Sequence, residues 1–306
     1  MKLSIIVPCR NEDRYLEYCL DSISDQDFPR SDYEIIVVDN GSTDRSLEIA
    51  NSMADNVIIA KNKKVGAVRN IGAKCAQGDT IIFIDADCTI DNQWLSRAYK
   101  FSSENPTIVF GGGTALPEKA NWIERYWLLE GDNGLALPTE LIGCSIILSR
   151  SNFKNLQFNE QLSSGEDTRF SKELREKGIN IVITHDLDVV HLGNAKTIKE
   201  FIERQSWHAQ SYKKNKLKNI TDPVFVTVIF FAAVSILSIV HILQYNKISN
   251  TLILLTLITP LTLTIKRYWR AKRRPNGIIE LPISYFIDTL YIFGRIIGIT
   301  KRNSDS

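Results

Sequence analysis

The chain has 306 residues, of which 24% are charged and 44% are hydrophobic, and its formal net charge at pH 7 is +2. This length allows one large domain with a smaller appendage, and the near-neutral charge excludes a protein that binds nucleic acid through overall basicity. The five cysteines contain no Cys-x-x-Cys pair, so the sequence predicts neither a zinc site nor a disulfide framework and fits a reduced, cytosolic environment. The apolar run at residues 3–7 is too short for the core of a signal peptide, so we expect the N-terminal part of the chain to stay in the cytoplasm.

The first 87 residues alternate apolar strands with helical patterns, which predicts a parallel sheet with helices on both faces. Ser42 or Thr43 is expected to cap the second helix. Beyond Ile108 the pattern loosens. We expect strands near 3–7, 34–38, 56–60, 80–84, 143–149, 179–183 and 187–190, and helices near 12–25, 43–54, 66–76 and 166–177.

The composition changes sharply after Asp222-Pro223. Residues 224–243 form a 20-residue apolar stretch that is long enough to cross the core of a bilayer, and residues 248–265 form a second, shorter candidate. The alternative for these two segments is a buried helical hairpin. Residues 281–299 are apolar but interrupted by charged groups, so they predict either a helix lying in the membrane interface or a third span.

Basic residues flank the two apolar segments and predict their orientation. The positive-inside rule places both basic flanks in the cytoplasm and the short loop at 244–250 outside, which predicts a multi-pass protein of the cell membrane. The flanking residues are Lys213, Lys214, Lys216 and Lys218 before the first segment, and Lys266, Arg267, Arg270, Lys272, Arg273 and Arg274 after the second.

Two carboxylates follow the buried strand at 80–84. Asp85 and Asp87 are one residue apart, where the strand ends. Ligands of parallel α/β sheets bind beyond the carboxyl ends of the strands, so these acids are expected to meet a substrate. Two hard oxygen ligands suit Mg²⁺ or Mn²⁺ carrying a diphosphate, and an acidic turn is the alternative.

Four further motifs accompany this Asp-Ala-Asp in a fixed order. They are Val-Pro-x-Arg-Asn-Glu from Val7, Val-Val-Asp-Asn-Gly-Ser-Thr-Asp from Val37, Gly-x-x-Arg-Asn-x-Gly from Gly66, and Gly-Glu-Asp from Gly165. Together the five motifs resemble the family 2 glycosyltransferases over roughly the first two thirds of the chain. The resemblance implies an α/β GT-A fold, with a Rossmann-like mixed sheet that binds a nucleotide-diphospho-sugar, followed here by a helical membrane segment. We therefore expect a transferase domain at 1–212, a basic linker at 213–222 and a membrane anchor at 223–306.

The nucleotide end of the predicted site involves two strand ends. Asp39 can accept hydrogen bonds from a pyrimidine N–H or a ribose hydroxyl, and the resemblance assigns it to the base; a turn-forming Asp is the alternative. Pro8, Arg10 and Glu12 resemble the loop that contacts the nucleotide, although Glu12 also fits the first turn of a helix. Arg69 lies at a predicted helix start, where N–H groups and a guanidinium can face an anion; a solvated arginine is the alternative.

The metal and the catalytic base have candidates as well. The resemblance implies Asp87 as the direct ligand of Mg²⁺ or Mn²⁺ and Asp85 as a ligand through water or a ribose contact. It implies His191 as a further ligand or a diphosphate contact, with a structural histidine as the alternative. Inverting transfer needs a carboxylate opposite the nucleotide, and Asp167 resembles that general base, with Glu166 supporting it. An acidic helix N-terminus is the alternative.

One departure from the family pattern concerns polymer synthesis. Processive relatives carry Gln-x-x-Arg-Trp, whereas this chain has Glu203-Arg204-Gln205-Ser206-Trp207, so processivity is not predicted. Arg204, Trp207 and His208 could contact the acceptor or a diphosphate, or simply belong to an amphipathic helix.

We therefore expect an inverting, membrane-anchored transferase of hexoses that serves cell-envelope polysaccharide synthesis. It would move sugar from a nucleotide donor, with UDP favoured, to a hydroxyl of a lipid-linked or membrane-proximal glycan. The alternatives are a polyprenyl-phosphate glycosyltransferase and a non-catalytic, nucleotide-binding scaffold. Retention of all the acidic positions argues against the scaffold.

Overall fold

The computed structural model describes residues 1–132, 134–213 and 222–301, without the side chains of Ser211 and Lys213. The basic flank at Lys213, Lys214, Lys216 and Lys218, and with it most of the predicted linker, lies outside this description. Contacts divide the chain into two units, Met1–Glu118 with Leu137–Gly193, and Lys119–Ala136 with Asn194–Ser306. The second unit thus takes in two segments that the predicted boundaries had placed in the transferase domain.

Twelve strands are found in the described residues. They are β1 Leu3–Cys9, β2 Tyr33–Asp39, β3 Asn56–Ile59, β4 Thr80–Phe83, β5 Cys88–Thr89, β6 Val109–Gly111, β7 Thr114–Ala115, β8 Glu130–Gly131, β9 Gly134–Leu135, β10 Ile146–Ser149, β11 Ile181–Ile183 and β12 Val189–His191.

The same residues contain eleven α-helices. They are α1 Leu16–Ser24, α2 Ser46–Met53, α3 Val65–Cys75, α4 Trp94–Glu104, α5 Trp122–Trp127, α6 Arg150–Asn155, α7 Glu166–Glu176, α8 Ile198–Ala209, α9 Pro223–Tyr245, α10 Asn250–Arg270 and α11 Gly277–Thr300.

The first unit is built on a seven-stranded sheet with the order β11-β6-β10-β4-β1-β2-β3. Strand β10 runs antiparallel to both of its neighbours, and the other pairs are parallel, which confirms the predicted mixed GT-A sheet. A three-stranded sheet, β5-β12-β7, lies in the same unit. The carboxyl ends of β1, β2 and β4 share one edge of the large sheet, because these neighbouring strands are parallel.

Both faces of the large sheet are covered, which explains why its strands read as continuous apolar runs. Successive side chains of a strand point to opposite faces, so Ile5 and Val7 of β1 pack in one core cluster and Ile6 packs in the other. Helices α1, α2 and α4 contribute to the first cluster, whereas α3, α6 and α7 contribute to the second.

Two local predictions at the sheet edge were wrong. Pro8 lies inside β1 rather than after it. Its missing N–H is tolerated because it faces the β4 side, where pairing has already ended at Ile6. Neither Ser42 nor Thr43 caps α2, because the Ser42 hydroxyl instead accepts the Asn11 N–H at 2.9 Å and α2 begins later, at Ser46.

The second unit is helical, with a buried cluster that α5, α8, α9 and α11 share. By length and composition alone, α9 and α11 could cross a membrane. The predicted segment 248–265 is a helix, α10, but the second helix to meet that criterion is α11. The two differ in burial, because 11% of the apolar window of α9 is buried against 39% of that of α11.

Helix α11 carries three polar residues toward the protein and several apolar residues outward. Glu280, Ser284 and Asp288 are each buried to at least 96%, whereas Phe286 and Phe293 are about half exposed. Residues four apart share a helix face, so the buried polar groups form one stripe. A buried polar stripe opposite exposed phenylalanines is unusual for a helix on the surface of a soluble protein.

Candidate active site

The Asp85–Asp87 loop is fixed to the sheet on both sides. The strand hydrogen bonds continue one residue past β4, because Ile84 donates its N–H to the Ile6 carbonyl at 3.1 Å. Further on, Leu192 donates its N–H to the Asp87 carbonyl at 2.8 Å. Both carboxylates are therefore attached to a backbone that hydrogen bonds hold in place at the carboxyl edge of the sheet, as the sequence predicted.

A group of metal-ligating atoms surrounds Asp87. The Oδ2 atom of Asp87 lies 3.6 Å from Nε2 of His191, because β12 pairs with β5 and sets His191 opposite Cys88. Ligand atoms of Asp87, Cys88 and His191 lie within 4.8 Å of one another. A Cβ at Gly193 would come 1.9 Å from Oδ2 of Asp87, so this glycine leaves the space that the Asp87 carboxylate occupies.

The donor set contains groups that can bind a divalent metal ion. Cys88 is fully buried, and its thiol donates toward Oδ1 of Asp87 at 3.6 Å. Burial raises the pKa of this thiol well above its usual range, so without a bound metal ion the thiol is a protonated hydrogen-bond donor. Asp87 and His191 then fit Mg²⁺ or Mn²⁺ with coordination positions left for oxygen atoms.

Arg69 joins two of the predicted site residues. Its side chain is 3% exposed and makes ion pairs of 2.7 Å with Oδ1 of Asp85 and 2.6 Å with Oε1 of Glu166. A Cβ at Gly143 would come 2.2 Å from Nη2 of Arg69, so this glycine makes room for the guanidinium. Burial lowers the pKa of Arg69, but the carboxylates of Asp85, Glu166 and Asp167 raise it more, and the group stays charged.

The buried ion pairs of Arg69 exclude one of the two interpretations of the sequence. Arg69 is not a solvated helix-face residue, because its side chain is 3% exposed and its charge is paired with two carboxylates. Among the described residues its Nε atom has no hydrogen-bond acceptor. The arginine therefore organises the two acids and retains one unsatisfied donor.

Asp167 lies at the start of α7, beside this network. Its Oδ2 accepts the Gly143 N–H at 3.2 Å, and its Oδ1 accepts its neighbour's N–H at 2.7 Å. Burial raises the pKa of Asp167, the adjacent Glu166 carboxylate raises it further, and Arg69 opposes both effects. Unlike Glu166, Asp167 makes no ion pair with an arginine among the described residues, and a raised pKa makes its carboxylate a stronger base.

The predicted nucleotide end is held by turn hydrogen bonds. The Asp39 carboxylate accepts the N–H groups of Gly41 at 2.9 Å and Ser42 at 3.0 Å, which is the turn role that the sequence had left open. Glu12 is half-buried, and its N–H donates to Oγ of Ser46 at 2.8 Å. Arg10 is exposed.

The structure thus brings the predicted residues together in three groups along one edge. Asp85, Arg69, Glu166 and Asp167 form one network, Asp87 and His191 form a second, and Pro8, Arg10, Glu12 and Asp39 stand at the ends of β1 and β2. Sequence reasoning missed the two glycines, 143 and 193, that leave space for Arg69 and Asp87. Nothing near them in the sequence marks them, because the side chains they accommodate are distant along the chain.

Comparison with known proteins shows which family this chain resembles. The model described as "Glycosyl transferase family 2" matches residues 4–164, just over half of the chain. This segment includes Asp39, Arg69, Asp85 and Asp87 but ends before Glu166, Asp167 and His191.

Named relatives cover different parts of the chain. Glycosyltransferase AglE of Haloferax volcanii is 28% identical over 66% of this chain and 70% of its own length. A poly(ribitol-phosphate) beta-glucosyltransferase of Bacillus spizizenii is 30% identical over 63% of this chain. The match spans only 32% of the length of that relative.

Two further proteins are similar along nearly the whole chain. The dolichyl N-acetyl-alpha-D-glucosaminyl phosphate 3-beta-D-2,3-diacetamido-2,3-dideoxy-beta-D-glucuronosyltransferase of Methanococcus voltae is 24% identical over 99% of this chain and 98% of its own. The mannosyltransferase PcManGT of Pyrobaculum calidifontis, solved with GDP-Man and Mn²⁺, has a TM-score of 0.60 at 16% identity and covers 97% of this chain and 86% of its own. This last likeness is one of fold alone.

Proposed function

The chain belongs to glycosyl transferase family 2, and from that premise we propose an inverting, membrane-associated transferase that moves a sugar from a nucleotide diphosphate to a hydroxyl of a lipid-linked or membrane-proximal glycan. This proposal rests on the two ion pairs that Arg69 makes. They join Asp85, on the metal side, to Glu166, the neighbour of the candidate base. Diphosphate and base functions are thereby held in one rigid constellation, as an in-line displacement requires.

Each residue has a separate task in this reaction. Asp87 and His191 would hold the metal ion, with Asp85 nearby; when bound, such an ion neutralises charge on the leaving diphosphate. Asp167 takes the proton from the attacking hydroxyl, and its raised pKa improves it as a base. Glu166 pairs with Arg69 and holds α7 in place. Asp39, Arg10, Glu12 and Pro8 would line the base and ribose.

The membrane part of the proposal is supported by the second unit. Helices α9 and α10 expose apolar residues such as Leu237, at 55%, and Leu254, at 56%. Helix α11, in contrast, packs against α8 and α5 and exposes a single apolar face. We infer that α9 and α10 insert as a hairpin and that α11 lies in the interface, despite its span-like length.

The acceptor is argued from this membrane part and from the relatives. The Methanococcus voltae relative, which matches nearly the whole chain, acts by its name on a dolichyl-linked sugar phosphate. An anchor would confine this enzyme to the surface where such acceptors reside. If the acceptor oxygen were instead a phosphate oxygen, which is already ionised at neutral pH, Asp167 would be dispensable.

A donor screen tests the proposed reaction. Full-length protein in vesicles would be given UDP, GDP and dTDP sugars with Mg²⁺ or Mn²⁺, and hydrolysis and transfer to lipid-linked glycans would be measured. We expect one donor to be hydrolysed slowly alone and transferred faster with acceptor. The proposal would be contradicted if none of these donors were hydrolysed in a metal-dependent way.

The native cysteines allow a test of orientation. Cys75 is exposed on the first unit, and the other four cysteines are buried. In spheroplasts, an impermeant maleimide should miss Cys75 and label a cysteine placed at Asn246, in the loop between α9 and α10. Labelling of Cys75 in intact spheroplasts would place the site outside and away from cytosolic nucleotide sugars.

A further inference from the structure

The end of α10 and the turn after it are rich in cations, and the structure divides these cations into two groups. The first group points inward. Arg267 pairs with Asp288 at 2.8 Å, and Arg273 pairs with Glu280 and donates to the carbonyl of Glu130 in β8 at 3.1 Å. The charges of these two arginines are therefore used within the fold.

The second group points outward. Lys266, Lys272 and Arg274 are exposed, and none of them pairs with a carboxylate in the part of the chain that the structure describes. The sequence supplies no local partner either, because no Asp or Glu occurs from Pro223 to Ile279. Positive charges that lie close together along the chain repel one another, so this group favours an anionic partner.

Large apolar side chains are exposed among these cations. Trp269 is 81% exposed, Ile278 is 93% exposed and Ile279 is 71% exposed. Trp269 follows Lys266 by three residues on α10, so the two side chains share a face of the helix. Tryptophan beside basic residues at the end of an apolar helix is typical of the boundary between a membrane and water. A nucleic acid would use the cations but would not cover the isoleucines.

The inner side of this turn is already covered. A Cβ at Gly131 of β8 would come 2.0 Å from the carbonyl oxygen of Ala271. Ala271 and Tyr268 are buried in a small cluster with Leu129. The exposed cations and apolar side chains therefore belong to the side of the turn that β8 does not cover.

The backbone of Lys272 is a separate observation. Its φ is +51°, in the left-handed region, at the position after a helix where glycine is preferred. Two hydrogen bonds close this turn, from the Arg273 N–H to the Tyr268 carbonyl at 3.2 Å and from the Lys272 N–H to the Trp269 carbonyl at 3.1 Å. Glycine would make the same turn with less strain, so the fold alone does not require a lysine here. Retained strain of this kind accompanies functional positions.

We propose that this outward side docks on the anionic phospholipid headgroups of a membrane leaflet. The cations attract the headgroup phosphates, and the apolar side chains enter the boundary between headgroups and acyl chains. This inference rests on the proposed function for the insertion of α9 and α10, to which it adds a selectivity for anionic lipid. The surface, called here the basic turn, consists of Lys266, Trp269, Lys272, Arg274, Ile278 and Ile279.

The test measures which lipid contacts Trp269 in the full-length protein. Phosphatidylcholine nanodiscs that hold the protein would contain equal mole fractions of either brominated phosphatidylglycerol or brominated phosphatidylcholine, without any sugar donor. Bromine quenches tryptophan fluorescence on contact, and the difference between the parent and Trp269→Phe isolates the signal of Trp269. We expect a preference for phosphatidylglycerol of at least about fivefold, the effect of one basic side chain near an anionic surface. Added salt should weaken this preference.

Lys272→Gly separates lipid binding from folding. Glycine suits the left-handed backbone, so the midpoint of thermal unfolding in detergent should not fall, whereas the preference for phosphatidylglycerol should fall by about two- to fivefold. The variant that combines Lys266→Gln, Lys272→Gly and Arg274→Gln should lose the preference. Lys247→Gln removes an exposed lysine at the opposite end of α10 and should behave as the parent does.

Each outcome decides for or against the basic turn. Equal quenching by the two lipids in the parent, or an unchanged preference in the triple variant, would overturn it. A lower unfolding midpoint in Lys272→Gly would show that the lysine serves the fold, which contradicts the argument from its backbone. A parent that prefers phosphatidylglycerol yet transfers no sugar would refute the proposed reaction and support this surface. Sugar transfer together with equal quenching would do the reverse.

Discussion

Buried charge serves different ends in the two units of the chain. In the second unit, Arg267 uses all five of its N–H donors, on Asp288, Ser284 and the carbonyls of Tyr126 and Trp127. In the first unit, Arg69 pairs with two carboxylates but leaves Nε without an acceptor among the described residues. A network that uses every donor fixes helices, whereas the Arg69 network holds two site carboxylates in place and leaves one buried donor unsatisfied.

The largest expected effect comes from the metal ligand. Asp87→Ala should lower transfer by at least about 10³-fold, because several kcal/mol of charge stabilisation on the leaving diphosphate would be lost. EDTA should abolish transfer by the parent protein. Added Mn²⁺ or Mg²⁺ should restore transfer by the parent but not by the variant. Asp79→Ala, an exposed acid at the opposite end of β4, is the matched control and should stay active. Full activity of the parent in EDTA would rule out the metal assignment.

The network of Arg267 and Asp288 should affect the stability of the fold rather than the rate of sugar transfer. Arg267→Met leaves Asp288 buried and unpaired, so we expect about 3–5 kcal/mol of lost stability, measured by thermal unfolding in detergent. Arg267→Met with Asp288→Leu should recover most of this loss. Arg270→Met removes an exposed arginine of the same helix and should have little effect. A single Arg267 variant as stable as that control would show that the network is dispensable.

The exposed apolar side chains of α9 give a third test. Leu237→Lys places a charge near the middle of the helix, which costs roughly 3 kcal/mol in a bilayer and should reduce vesicle flotation about 10²-fold. Val182→Lys, at an exposed apolar position of β11, should float as the parent does. Equal flotation of both variants would argue against insertion of α9.

A smaller effect concerns pH. Asp167 must be ionised to act as a base, so activity should rise as pH passes upward through its raised pKa, and the acid limb of kcat/KM should lie above the ordinary value of 3.8. Glu166→Gln removes a negative neighbour that raises this pKa. Its acid limb should therefore move to lower pH, and a shift to higher pH would contradict the electrostatic account.

Sequence reasoning predicted the elements of the first unit well, because apolar runs and strand-end acids are local signals. It placed Asp85, Asp87, Glu166 and Asp167 at one edge through a family resemblance. It could not foresee that Arg69 would sit between two of these acids, since that depends on residues almost a hundred positions apart. The buried polar stripe of α11 was also missed, because isolated charged residues in an apolar segment do not show which face of the helix is buried.

The central claim is that Asp167 deprotonates an acceptor hydroxyl, and one paired measurement tests it most directly. Asp167→Asn keeps the size of the side chain and removes its basicity. The donor dissociation constant and the single-turnover rate would be measured on the same preparation, with Glu166→Gln as the neighbouring control. We expect near-normal donor binding, a rate lower by roughly 10²- to 10⁴-fold, and a smaller loss in the control. Near-normal turnover with intact donor binding would contradict the claim and favour a phosphate as the acceptor.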